Sequence, residues 1–134
     1  MTGVLPSTAR GRSLLLAAGA FVLYGGWAFV ANVSHGAGEA VQALVIQGVL
    51  SFVSTLTITG AMEWAFGRGG DPTQRVLASL AAGLVPMYAL TIGLHAALGT
   101  PELFRTVAPV LVLGTVYCSV YSLGLLRMSR ANAV

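Results

Sequence analysis

Charge is what this sequence has least of. Of its 134 residues only 8% are Asp, Glu, Lys or Arg, against about 25% in a soluble domain. Such a deficit leaves too little polar side chain to cover a water-facing surface. Lysine is absent altogether, and the acids are only Glu39, Glu63, Asp71 and Glu102. The single cysteine, Cys118, excludes an internal disulfide. It sits in an apolar run, where a thiol behaves as a small hydrophobe. No phosphate-binding loop, no Cys-x-x-Cys, no Gly-x-Ser-x-Gly and no pair of carboxylates inside an apolar run is present. These absences point away from catalysis, and no cofactor or bound metal is expected.

What fills the chain instead is hydrophobic, 56% of all residues. Four stretches carry no Asp, Glu, Lys or Arg: 13–38, 40–62, 76–101 and 106–126. A helix needs about 20 mostly apolar residues to cross the roughly 30 Å hydrocarbon core. Within hydrocarbon every peptide group must be paired inside the protein, which leaves only helices and closed barrels. Barrel strands alternate apolar and polar residues, and runs such as 76–85 do not. The expected fold is therefore all-α, a four-helix transmembrane bundle forming one integral membrane domain over 1–134. Spans are placed near 13–33, 39–66, 73–98 and 101–127. The first is too long for a cleaved signal peptide and lacks a convincing cleavage site.

Local signals support these boundaries. Asp71, Pro72 and Gln74 supply an N-cap, a proline at the first helical position and a partner for a capping box. Thr100, Pro101 and Glu102 repeat that logic for the fourth helix. Gly67, Gly69 and Gly70 end the second. Pro86 and Pro109 fall inside the third and fourth helices, where each removes one backbone hydrogen bond.

Seven arginines give a net charge of +3, but no basic stripe runs along any element, so nucleic acid is not an expected partner. Arg10 and Arg12 precede the first span, Arg68 and Arg75 separate the second from the third, and Arg127 and Arg130 follow the fourth. Only Arg105 lies near the other face. The positive-inside rule places both termini and the middle connection in the cytoplasm, and a bacterial inner membrane is the expected location. Trp64 is placed as an interfacial anchor.

The two halves show a weak internal likeness at an offset of 64 residues (17 to 81). Ala17, Ala18 and Gly19 align with Ala81, Ala82 and Gly83, Tyr24 with Tyr88, and Gly60 with Gly124. Ser51, Ser54 and Thr55 fall on Thr115, Cys118 and Ser119. Each unit is a helical hairpin, so this suggests a parallel repeat of helices 1–2 and 3–4.

Two constellations could carry chemistry. Gln47, Ser51, Ser54 and Thr55 lie within about 100° of one another around the second helix. Thr115, Cys118, Ser119 and Ser122 share a comparable face of the fourth. Together they form a polar seam that either lines a path for a small solute or joins helices through hydrogen bonds. Packing is favoured, because hydroxyls can also bond their own helix. Gln47 differs, since an amide in mid-membrane needs partners that its own helix does not fully supply. The second constellation is outer and ionisable: His35, Glu39, His95 and Glu102. Two imidazoles and two carboxylates could bind a divalent metal or relay protons, as in a metal- or proton-dependent membrane enzyme using His35 and His95, but their spacing matches no established metal signature. Glu39 and Glu102 suit the first turns of helices, and Arg105 is positioned to pair with Glu102. Glu63, next to Trp64, is expected at the inner headgroup level, within reach of Arg68 or Arg127.

The expected role is that of a non-catalytic bundle that associates with itself, with lipid of the bilayer or with a larger membrane protein. A small dimeric transporter or channel for a polar solute or ion is the alternative. Cysteines introduced at Gly70 and Arg130 are expected to escape an impermeant thiol reagent in intact cells and to react after permeabilisation. Labelling of intact cells at both positions would reverse the orientation.

Overall fold

The computed structural model describes residues 8–97 and 103–133, apart from the side chains of residues 94, 95, 103, 105–107 and 109. The described residues form four α-helices and no strand: α1 (Ala9–Asn32), α2 (Ala37–Arg68), α3 (Pro72–Ala97) and α4 (Leu103–Ala131). A 3-10 turn, Val33–His35, joins α1 to α2. All four helices are long and apolar enough to cross a membrane. This is the all-α, four-span architecture expected from the sequence.

Each span leaves most of its apolar surface uncovered. Trp27 is 72% exposed, Leu90 71% and Phe104 79%. In water, apolar area of this kind costs about 25 cal/mol per Å², and contiguous patches of it mark an interaction surface. Against lipid tails the cost disappears.

The helix ends differ from expectation where the caps decide. α1 begins at Ala9, four residues ahead of the expected 13, because the Thr8 hydroxyl accepts from the Gly11 amide at 3.2 Å. α2 begins at Ala37, since Gly36 adopts φ 122° and separates the 3-10 turn from the helix. That backbone conformation favours glycine. α2 ends at Arg68, at the glycines expected to stop it. At the start of α3 the Asp71 carboxylate accepts from the Gln74 amide at 2.9 Å. The Gln74 side chain reaches one residue beyond the usual capping box, accepting from the Gly70 amide at 3.2 Å. α3 continues through Pro86. α4 runs on to Ala131, past both arginines, whose positive charge suits a helix C-terminus. The expected cap at Thr100, Pro101 and Glu102 lies outside the described residues.

The chain divides into two compact units, 1–60 and 61–134. In the first, α1 and α2 meet backbone to backbone at glycines. A Cβ on Gly25 would lie 2.9 Å from the Leu44 carbonyl oxygen and 3.3 Å from the Gly48 Cα. A Cβ on Gly48 would lie 2.7 Å from the Phe21 ring. The absent side chains at 25 and 48 are thus the space in which the two helices interlock, the small-residue packing common between membrane helices.

In the second unit the end of α2 packs with α3 and α4. Sulfur-bearing side chains fill the glycine sites here: Met62 and Cys118 close on Gly83, and Met87 closes on Gly114. Met62 and Cys118 are fully buried. The connection into α3 is wound tightly, with a Cβ on Gly69 only 2.6 Å from the Arg75 backbone and Arg75 Nε donating to the Gly69 carbonyl at 3.1 Å. Positions paired by the 64-residue offset have different surroundings. A Cβ on Gly83 would meet Met62 and Cys118, whereas one on Gly19 would meet nothing within 4 Å.

Gly48→Ala is expected to destabilise the folded protein by about 1–3 kcal/mol, through overpacking against Phe21. Gly19→Ala should be neutral or stabilise slightly, since alanine is the better helix former. Denaturant titration in mixed micelles reads both. Equal effects at the two positions would rule out the close approach.

Candidate functional site

The polar seam falls into two parts, one in each compact unit. In the first, Gln47 is half-buried and donates from Nε2 to Ser51 Oγ at 3.3 Å, one turn along the same helix. Its own helix therefore takes one of the amide's protons. Thr55 is half-buried, while Ser54 is exposed. Thr57, also exposed, donates to the Val53 carbonyl at 2.9 Å. Such back-bonding to the preceding turn gives a hydroxyl in an apolar run a hydrogen-bond partner on its own helix.

In the second unit the seam residues of α4 are engaged with α3. Ser122 donates to Ser79 Oγ at 2.9 Å, and both residues are fully excluded from solvent. Thr115 donates to the Leu111 carbonyl at 2.6 Å, and its oxygen lies 2.8 Å from the Tyr88 hydroxyl. With the Thr115 proton committed to Leu111, the Tyr88 hydroxyl is the donor in that contact. Cys118 lies between these two bonds, against Gly83. Ser119 is half-buried.

A third polar contact was not legible in the sequence. Tyr121, on α4, donates its hydroxyl to Glu63 near the end of α2, and its ring stacks on Tyr117 at 5.8 Å between centroids. Glu63 is half-buried. Arg68, one of the expected partners of Glu63, carries its guanidinium 3.9 Å over the Trp64 ring, an attraction worth about 0.5–1 kcal/mol at an exposed site. Trp64 is itself exposed. The sequence hint to Tyr121 was a buried tyrosine's need for a hydrogen-bond partner. Nothing in the sequence identified that partner.

The outer ionisable group is only partly described. His35 closes the 3-10 turn and Glu39 occupies the first turn of α2, both exposed. Gly36 breaks the helix between them, so they do not share the single helical face that their spacing suggested. Glu39 does lie where a carboxylate meets the positive end of a helix dipole. Glu102 lies outside the described residues, as do the side chains of His95 and Arg105. Among the described residues, no three His, Cys, Asp or Glu side chains come together closely enough to hold a metal ion.

These contacts fit helix-to-helix joining. Ser122→Ala is expected to cost about 0.6 kcal/mol, the average for such bonds between membrane helices. The Ser79→Ala, Ser122→Ala double variant should lose less than the two single changes summed, because no hydroxyl is left buried alone. A double-mutant cycle in micelles measures the coupling, and strict additivity would mean that the pair is not interacting.

Compared with the models of known protein families, with characterised proteins and with solved structures, the chain matches none.

Proposed function

We propose that this small membrane protein is non-catalytic and acts by association, joining a second copy of itself through the exposed face of α2. The observation that carries this reading is a row at 3.5-residue spacing. Ile46, Leu50, Val53, Thr57 and Gly60 are all exposed, and they follow the 4-3-4-3 rhythm of a helix seam. A Cβ on Gly60 would meet nothing within 4 Å, so this position is open to a neighbour. Ser54 flanks the row, near the middle of the 40–62 charge-free run, and no hydrogen bond reaches its hydroxyl among the described residues. A hydroxyl at that depth gains from a partner helix. The arginine distribution favours a bacterial cytoplasmic membrane with both termini inside.

The test is the oligomeric state in mild detergent, by native mass spectrometry. The 13.7 kDa chain is expected to run as a dimer. Gly60→Leu should weaken that dimer at least about ten-fold, the effect of roughly 1.4 kcal/mol, without disturbing the fold of the chain itself. A wild-type monomer at every concentration, or one copy held by a larger membrane protein, would end the self-association reading.

One observation favours a second reading, a small dimeric transporter or channel for a polar solute or ion. Gln47 lies half-buried in mid-span and, among the described residues, commits one of its polar groups, to Ser51. Solute or ion flux in proteoliposomes that disappears in a folded Gln47→Leu variant would select this reading. Absence of flux in the wild type leaves association.

A further inference from the structure

A separate feature lies at the arginine-bearing ends of α3 and α4. An open groove of about 230 Å³ is lined by Pro72, Thr73, Val76, Leu77, Leu126 and Arg130. We propose that it seats one anionic phospholipid, with the phosphate at Arg130 and Thr73 and the start of an acyl chain against Val76, Leu77 and Leu126.

The groove has two levels, and they match on both helices. The charge-free run of α3 begins at Val76 and that of α4 ends at Leu126. Val76, Leu77 and Leu126 therefore belong to the hydrocarbon level. Pro72 and Thr73 lie one helical turn outward on α3, and Arg130 lies one turn outward on α4. The groove thus crosses from apolar to polar at the depth where a phospholipid does. Its volume is below the range of about 300–1,000 Å³ for pockets that enclose a small molecule. It accordingly holds the headgroup end, with the chains continuing into the bilayer.

Charge and hydrogen bonding select the anion. No ion pair or hydrogen bond engages the Arg130 side chain among the described residues, and the residue is exposed. The local carboxylate, Asp71, caps the Gln74 amide, and its carbonyl takes the Arg75 amide. Pro72 has no amide proton. Among the described residues, that leaves the Thr73 amide as the first-turn donor of α3 without an acceptor. It lies at the positive end of the helix dipole, beside the groove's arginine. Basic pockets between membrane helices suit acidic headgroups. Free phosphate would find the same two donors but would leave the apolar wall unused.

Native mass spectrometry of the full chain in neutral detergent tests this, with phosphatidylglycerol or phosphatidylcholine of identical chains. Phosphatidylglycerol is expected to be retained preferentially, and Arg130→Gln should lower that preference about five-fold, as one arginine near a lipid surface contributes. Arg127→Gln removes the same charge away from the groove lining and should keep most of the preference. Arg130→Lys should restore part of it. Four results would overturn the assignment: equal retention of the two lipids, no effect of Arg130→Gln, equal losses at Arg127 and Arg130, or displacement of the lipid by millimolar inorganic phosphate.

Discussion

Hydrocarbon offers a peptide group no hydrogen-bond partner, and every feature of this protein answers to that. Four helices satisfy most of their backbone groups within themselves. The side chains follow the same rule. Asn32 turns back to the Ala28 carbonyl, Thr57 to Val53 and Thr115 to Leu111. Other polar groups are matched across helices, as in the Ser79 and Ser122 pair and the Tyr121 and Glu63 contact. These contacts tie polar side chains of one helix to those of another.

Without a hydrophobic drive between helices in lipid, close packing must supply the attraction. The two compact units achieve it differently. In the first, Gly25 and Gly48 allow two backbones to touch, and the Phe21 ring occupies the space left at Gly48. In the second, Gly83 and Gly114 receive Met62, Cys118 and Met87, whose thioethers and thiol adapt to irregular gaps. At one pair of positions aligned by the 64-residue offset the packing differs: Gly83 receives Met62 and Cys118, whereas a Cβ on Gly19 would meet nothing within 4 Å.

The surfaces left over have distinct characters. The α2 row from Ile46 to Gly60 is regular, apolar and open at its glycine, which suits another helix. The groove between Thr73 and Arg130 is amphiphilic and basic, which suits a lipid.

The sequence by itself determined the helical class, the number of spans and most of their limits. Each follows from local quantities: runs free of charge, caps such as Asp71, and stopping glycines. It also marked Gln47, Thr115 and Ser122 as polar positions, because a hydroxyl or amide in an apolar run is conspicuous. It did not reveal that Ser122 would meet Ser79, that Tyr121 would reach Glu63, or that Arg68 would lie over Trp64. Nor did it reveal that Gly36 would separate His35 from Glu39. Those are decided by the rotation and depth of one helix against another and by the backbone angle at one residue, and sequence spacing within a single helix carries no information about either.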